Sequence, residues 1–205
     1  MKTVEVIGFK RANLGKSESK RLRAEGYAPC VVYGTGEQIH FYAPMILFKD
    51  LLYTPEARFV ELNIEGDIRK AIVQDAQFHP VSEMILHVDF LELADDKPIK
   101  MAIPVRTTGN SVGVQNGGKL IMKKRHLDVK ALPKDMPEFI EVDVSNLKLG
   151  KSTKVGALSP EGFEILNSPL VTIASVEVPR AMRGKGEDEE LEEDGGAEAE
   201  AEAEA

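Results

Sequence analysis

The sequence holds a single cysteine, Cys30, in 205 residues, so no disulfide can form within the chain. Its PCVVY setting predicts an inert core residue, because a free cysteine is among the most buried residue types. Tryptophan is absent, and aromatic residues make up 6%. No apolar run approaches the ~18 residues of a membrane span. The N-terminus opens on alternating Val4 and Val6 and has no secretory hydrophobic region, which predicts a cytoplasmic protein. Neither Gly-x-x-x-x-Gly-Lys-Ser/Thr nor Gly-x-Gly-x-x-Gly occurs. His40, His79, His87 and His126 are scattered, and no Cys/His cluster has zinc spacing. Catalysis, a metal, a cofactor and a small-molecule substrate are therefore not expected.

What is present is an uneven charge. The net charge is −8, yet from Gly184 onward eleven acids meet one lysine, a net of −10, which leaves Met1–Arg183 at +2. The tail is low in complexity and nearly free of apolar residues, so disorder is expected over 181–205. It reads as a solubilising segment or as an electrostatic gate that competes with nucleic acid for basic residues. The body reads mainly as strands. Alternation or β-branched runs mark Thr3–Lys10, Pro29–Tyr33, Ile39–Ala43, Phe59–Ile64, Ile68–Val73 and Met84–Leu93. In the last of these, Met84, Leu86, Val88 and Phe90 are expected on one face, with Ile85, His87, Asp89 and Leu91 on the other. Two short helices are predicted, Ser17–Glu25 with Ser17 or Ser19 as N-cap, and Pro44 to about Tyr53.

Ala94–Pro98, polar and ending in proline, suggests a boundary between domains at 1–95 and 96–180. The second half carries strand signals at Ile99–Thr107, Lys119–Lys130, Phe139–Val144, Phe163–Leu166 and Val171–Val178, and reads as all-β. Its Lys123-Lys124-Arg125 run reads either as charge protecting an edge strand or as a contact with RNA or protein.

The concentrated basic arm is Lys10–Arg23, where six lysines and arginines meet one acid, Glu18. On the predicted helix Lys20, Arg21 and Arg23 cluster, with Leu22 and Ala24 left to face inward. Lys10, Arg11 and Lys16 precede them. Cations around a helix N-terminus favour anions, and phosphate suits both the arginine fork and the lysine point charge. An anionic protein or membrane surface fits the same cluster. His87 and Asp89 share a strand face. That pair reads as a plain polar face, as a face for a donor-and-acceptor-rich ligand such as RNA, or as a catalytic or metal pair that lacks a third group.

Several ordered blocks carry a resemblance. They are Gly15-Lys16, Ser19-Lys20-Arg21-Leu22-Arg23-Ala24-Glu25-Gly26, Pro29 and Val31-Val32-Tyr33-Gly34, then Gln74–Pro80 and His87-Val88-Asp89-Phe90. Later come Gly113-Val114, Asn116-Gly117-Gly118, Leu132–Pro137 and Ile140–Ser145. Over roughly residues 1–180 the chain resembles the bacterial large-subunit ribosomal protein L25 family in its long form, also called the CTC or general stress protein type. The resemblance implies a mainly β fold with an N-terminal β-barrel-like domain that clasps an irregular internal-loop region of 5S rRNA, and a C-terminal β domain. It implies that Arg11, Lys16, Ser19, Lys20, Arg21 and Arg23 hold phosphates and sugars. Tyr33 would pack on or hydrogen-bond to the RNA backbone near them, and Gln77, His79, His87 and Asp89 would line the groove-facing part. Two positions depart: Phe78 stands where many relatives carry a basic residue, and Lys20 where arginine is frequent. The expected partners are 5S rRNA, the large ribosomal subunit and neighbouring ribosomal proteins. A stress-related RNA- or protein-binding factor acting off the ribosome is the alternative.

Overall fold

The computed structural model describes residues 1–34, 36–158 and 162–179, so the acidic tail lies outside the described residues. Among them are thirteen strands. The first six are β1 (Thr3–Lys10), β2 (Tyr27–Tyr33), β3 (Ile39–Pro44), β4 (Phe59–Ile64), β5 (Asp67–Phe78) and β6 (Ile85–Glu92). They close a barrel in the order β1-β3-β2-β6-β5-β4, sealed by a parallel β1–β4 pairing from Thr3↔Phe59 to Gly8↔Ile64. Closure removes free edges that would otherwise template aggregation. Alternate residues fill the interior: Val6, Cys30, Phe41, Val60, Leu62, Ile64, Val88 and Phe90 are all fully buried. Phe90 is the hub, 5.8 Å from Phe41 and 6.2 Å from Phe48 between ring centroids. A Cβ on Gly8 would come within 2.5 Å of the Phe41 ring, so the barrel wall needs glycine there.

Helix α1 (Lys16–Ala24) starts one residue before the predicted span. Its N-cap is Gly15, and neither Ser17 nor Ser19 caps it. Ser19 instead lies inside the first turns and donates its hydroxyl back to the Gly15 carbonyl at 2.9 Å. Glu18 near the N-terminus and Arg21 and Arg23 near the C-terminus complement the helix dipole. Gly26, at φ +85, ends the helix in a conformation that costs glycine little. Leu22 is buried, whereas Ala24 is exposed, contrary to expectation. The second predicted helix is a 3₁₀ turn, Met45–Phe48, followed by α2 (Lys49–Leu52), because Pro44 closes β3.

One predicted facing is reversed. Val88 and Phe90 point inward as expected, but Ile85 is buried and Met84 is exposed. The β5–β6 register passes from Gln77↔His87 to Phe78↔Ile85, so Leu86 is an extra residue. Such a bulge turns over the alternation beyond it. A second bulge, at Gln74, separates Val73↔Phe90 from Asp75↔Asp89.

The remaining strands are β7 (Ile99–Thr108), β8 (Lys119–Met122), β9 (His126–Ala131), β10 (Ile140–Asp143), β11 (Ser152–Lys154), β12 (Glu164–Ile165) and β13 (Thr172–Glu177), with one α-helical turn, α3 (Val112–Gln115), and a 3₁₀ turn, Val155–Ala157. They form two sheets, β10-β7-β9-β12 and β11-β13-β8. The predicted strand Lys119–Lys130 is interrupted. The backbone N–H groups of Lys123 and Lys124 both bond the Ile173 carbonyl, at 2.8 and 3.1 Å, and residues 123–125 form a link rather than an edge strand. By packing, the chain forms two compact units. The first comprises Met1–Pro104, His126–Ile140 and residues 162–166; the second comprises Val105–Arg125 and residues 141–158 and 167–179.

Candidate nucleic-acid interface

Strand register decides which polar residues share the barrel's outer wall. Val31 on β2 pairs with His40 on β3 and with Asp89 on β6, and Asp89 pairs in turn with Asp75 on β5. One row beyond it, Tyr33 pairs with Leu91. On the other side Gln77 pairs with His87. Tyr33, His87, Asp89 and Gln77 therefore lie on one surface. His40 and Asp75 join them, and sequence reasoning missed both. Their signal is cross-strand pairing, which local alternation does not carry.

The chemistry of this surface is directional. His87 Nδ1 lies 2.5 Å from Asp89 Oδ1, so in its neutral form the ring holds the proton on Nδ1 and offers Nε2 as an acceptor. His79, in the loop that follows β5, is set the other way. Its Nδ1 accepts from the backbone N–H groups of Val81 at 3.3 Å and Ser82 at 3.1 Å, leaving Nε2–H as a donor. Burial, then the charges of Asp89 and Asp75, push the Tyr33 phenol above its ordinary range, so it stays an O–H donor. Asp75 Oδ1 is partly taken up by the Ala76 N–H at 2.9 Å.

The arm meets this wall through α1, which packs on β2. Leu22 and Val31 are both buried although neither belongs to the barrel-interior cluster. Arg23 Nε donates to the Leu86 carbonyl at 3.0 Å, tying the helix to the bulge beside His87. Arg11 is turned onto the arm itself: its terminal nitrogen donates to Ser19 Oγ at 3.1 Å and to the Asn13 carbonyl at 3.4 Å. Lys16 and Lys20 are exposed. Arg21 is exposed too, and it pairs with Glu18 at 2.7 Å and Glu25 at 3.7 Å. Such surface pairs contribute about 0–1 kcal/mol, so an incoming phosphate can replace them. Lys10 lies at the barrel rim in a pocket it shares with Arg11, Glu37, His40, Asp67 and Arg69.

Phe78 is exposed and meets the Tyr53 ring edge-on at 6.1 Å between centroids, so an apolar pair occupies the position of the expected cation. The sequence also contains one Gly-x-Ser-x-Gly, Gly109 to Gly113, a spacing that in some hydrolases presents a nucleophilic serine. Here Ser111 is 3% exposed and donates its hydroxyl to the Leu147 carbonyl at 2.6 Å, a structural use. Among the described residues no group of three or more His, Cys, Asp or Glu could hold a metal. Nor is any helix among them long and apolar enough to cross a membrane.

Comparison with known proteins bears on both halves. Residues 7–90 match the Ribosomal L25p family, and residues 98–180 match the family described as Ribosomal protein TL5, C-terminal domain. A large ribosomal subunit protein bL25 from Amoebophilus asiaticus is 52% identical over 89% of this chain and 93% of that protein. The protein of the same name from Cytophaga hutchinsonii is 51% identical over 89% of this chain and 95% of its own length. That from Porphyromonas gingivalis is 43% identical over 90% and 97%.

Proposed function

The chain belongs to the ribosomal L25p family, and from that premise we propose that it is a structural constituent of the large ribosomal subunit that binds 5S rRNA. It acts in the cytoplasm on the ribosome and needs no catalytic step or cofactor. The observation that carries the reading is the joining of a cationic helix to a polar barrel wall through Leu22 and the Arg23–Leu86 bond.

A regular A-form helix hides its base edges in a deep, narrow major groove and shows 2′-hydroxyls in a shallow minor groove. An internal loop reshapes both grooves. Lys16, Lys20 and Arg21 are suited to phosphates, which fix register without reading sequence. The wall then supplies an acceptor at His87 Nε2, the Tyr33 hydroxyl, the Gln77 amide and the Asp89 carboxylate, and the β5–β6 loop adds a donor at His79 Nε2. A 2′-hydroxyl both donates and accepts, so it can satisfy either kind of partner.

Gel shifts of the full chain against 5S rRNA and against a regular RNA duplex of equal length test the proposal. Tighter binding of 5S rRNA at every salt concentration, with co-sedimentation on large subunits, is expected. Equal affinity for the two RNAs would overturn it.

A further inference from the structure

Charge is divided unevenly between the two compact units. Among described residues, the first holds fifteen lysines and arginines against nineteen acids, a net of −4. The second holds eight against three, a net of +5. The unit without the basic arm is thus the positive one.

Its cations gather at one end of the β11-β13-β8 sheet. Lys123, Lys124 and Arg125 are consecutive and exposed in the link that leaves β8. Their backbone is pinned by the two bonds to the Ile173 carbonyl. On the other flank of β13, Lys154 pairs with Thr172, the residue before Ile173. Two strand spacings separate the flanks, roughly 10 Å. The unit's three acids do not answer these cations. Glu177 lies opposite Lys119 at the far end of the β13–β8 pair. Asp143 is held by the Ser145 N–H at 2.8 Å and its hydroxyl at 2.6 Å, which keep its carboxyl below the usual range. Glu141 sits on β10, in the other sheet. Residues 123–125 are in no strand, so the run is not itself a strand edge.

We propose that this end of the sheet is a second docking surface, for the phosphate backbone of ribosomal RNA, independent of sequence and separate from the arm on α1. A fixed turn carrying two point charges and one guanidinium fork, with a fourth cation beside it, suits a polyanion whose charges repeat along its length. The choice of RNA over another polyanion rests on the proposed function; the existence of the surface does not.

The test compares the full chain with a K123Q/K124Q/R125Q variant, and with the same variant carrying K154Q. Each is bound to free 5S rRNA and to large subunits depleted of this protein, across salt concentrations. Unchanged thermal unfolding of the variants establishes that they fold. On at least one of the two RNAs the log–log salt slope should flatten by about two to three units, because each lost phosphate contact removes slightly less than one. Preference for 5S rRNA over a regular duplex should persist. An unchanged slope on both RNAs overturns the proposal. So does a flattening that disappears once residues 184–205 are deleted, which would make the acidic tail the occupant. A wild-type chain without preference for 5S rRNA, combined with a flattened slope for the variant on depleted subunits, would defeat the proposed function and leave this surface standing.

Discussion

Three arginines within thirteen residues are held in three different ways. Arg11 braces the arm through Ser19 and Asn13, Arg23 fastens α1 to Leu86, and Arg21 lies exposed between two glutamates. Arg21→Ala should therefore flatten the salt slope of 5S rRNA binding by about one unit while stability moves by no more than about 0.5 kcal/mol. Arg11→Ala should lower the unfolding temperature first, since it releases Ser19 and the loop before α1. Thermal unfolding paired with binding at several salt concentrations separates the two, and the opposite pattern would exchange their roles. Asp89 admits a different measurement. Its charge opposes formation of the Tyr33 phenolate, so Asp89→Asn should let the phenol titrate at lower pH. Burial, the larger cause, remains, and the phenol should still titrate above the ordinary value near 10. Ultraviolet difference titration follows the phenol, although Tyr27, Tyr42 and Tyr53 add their own signal and a spectrum of the Tyr33→Phe variant must be subtracted. The same substitution should reduce preference for 5S rRNA over duplex with little change of slope. Equal loss on both RNAs would assign Asp89 to folding alone.

At the scale of elements, α1 is the part most dependent on one contact. Leu22 is 3% exposed and seats the helix on β2, outside the barrel's interior cluster. Leu22→Ala should cost about 2–3 kcal/mol. The loss should fall on the helix, so hydrogen exchange should quicken over Lys16–Ala24 while the barrel strands keep their protection. Uniform loss across the barrel would mean that α1 is part of its cooperative core. The strands themselves were largely legible, because alternation in Phe59–Ile64 or Ile99–Thr107 follows directly from a wall with one buried face. What escaped was set by partners rather than by local pattern. The bulge at Leu86 turns Ile85 inward against its alternation with Val88. The break at 123–125 depends on a carbonyl fifty residues away. The candidate site divides likewise. Its residue types stand out in the sequence, but the company of His40 and Asp75, and the engagement of Arg11 and Arg23 with the body, arise only from register and packing.

Charge is sorted into compartments of opposite sign: −4 and +5 over the described residues of the two units and −10 over residues 184–205. A tethered polyanion and an RNA seek the same lysines and arginines, so each should weaken the other. Removing residues 184–205 takes the net charge from −8 to +2 and should raise affinity for 5S rRNA and for a regular duplex alike. Preference between the two RNAs should not move, because the proposed function assigns that distinction to the polar wall of the barrel. The gain should also be confined to low salt. Screening acts over about 30 Å at 0.01 M salt but about 8 Å at 0.15 M, which leaves a distant charge little reach. Binding curves of the full and shortened chains should therefore separate at low salt and converge as salt rises. Identical affinities at 0.01 M would show that the tail serves solubility alone and that the cations of both units meet RNA without competition from it.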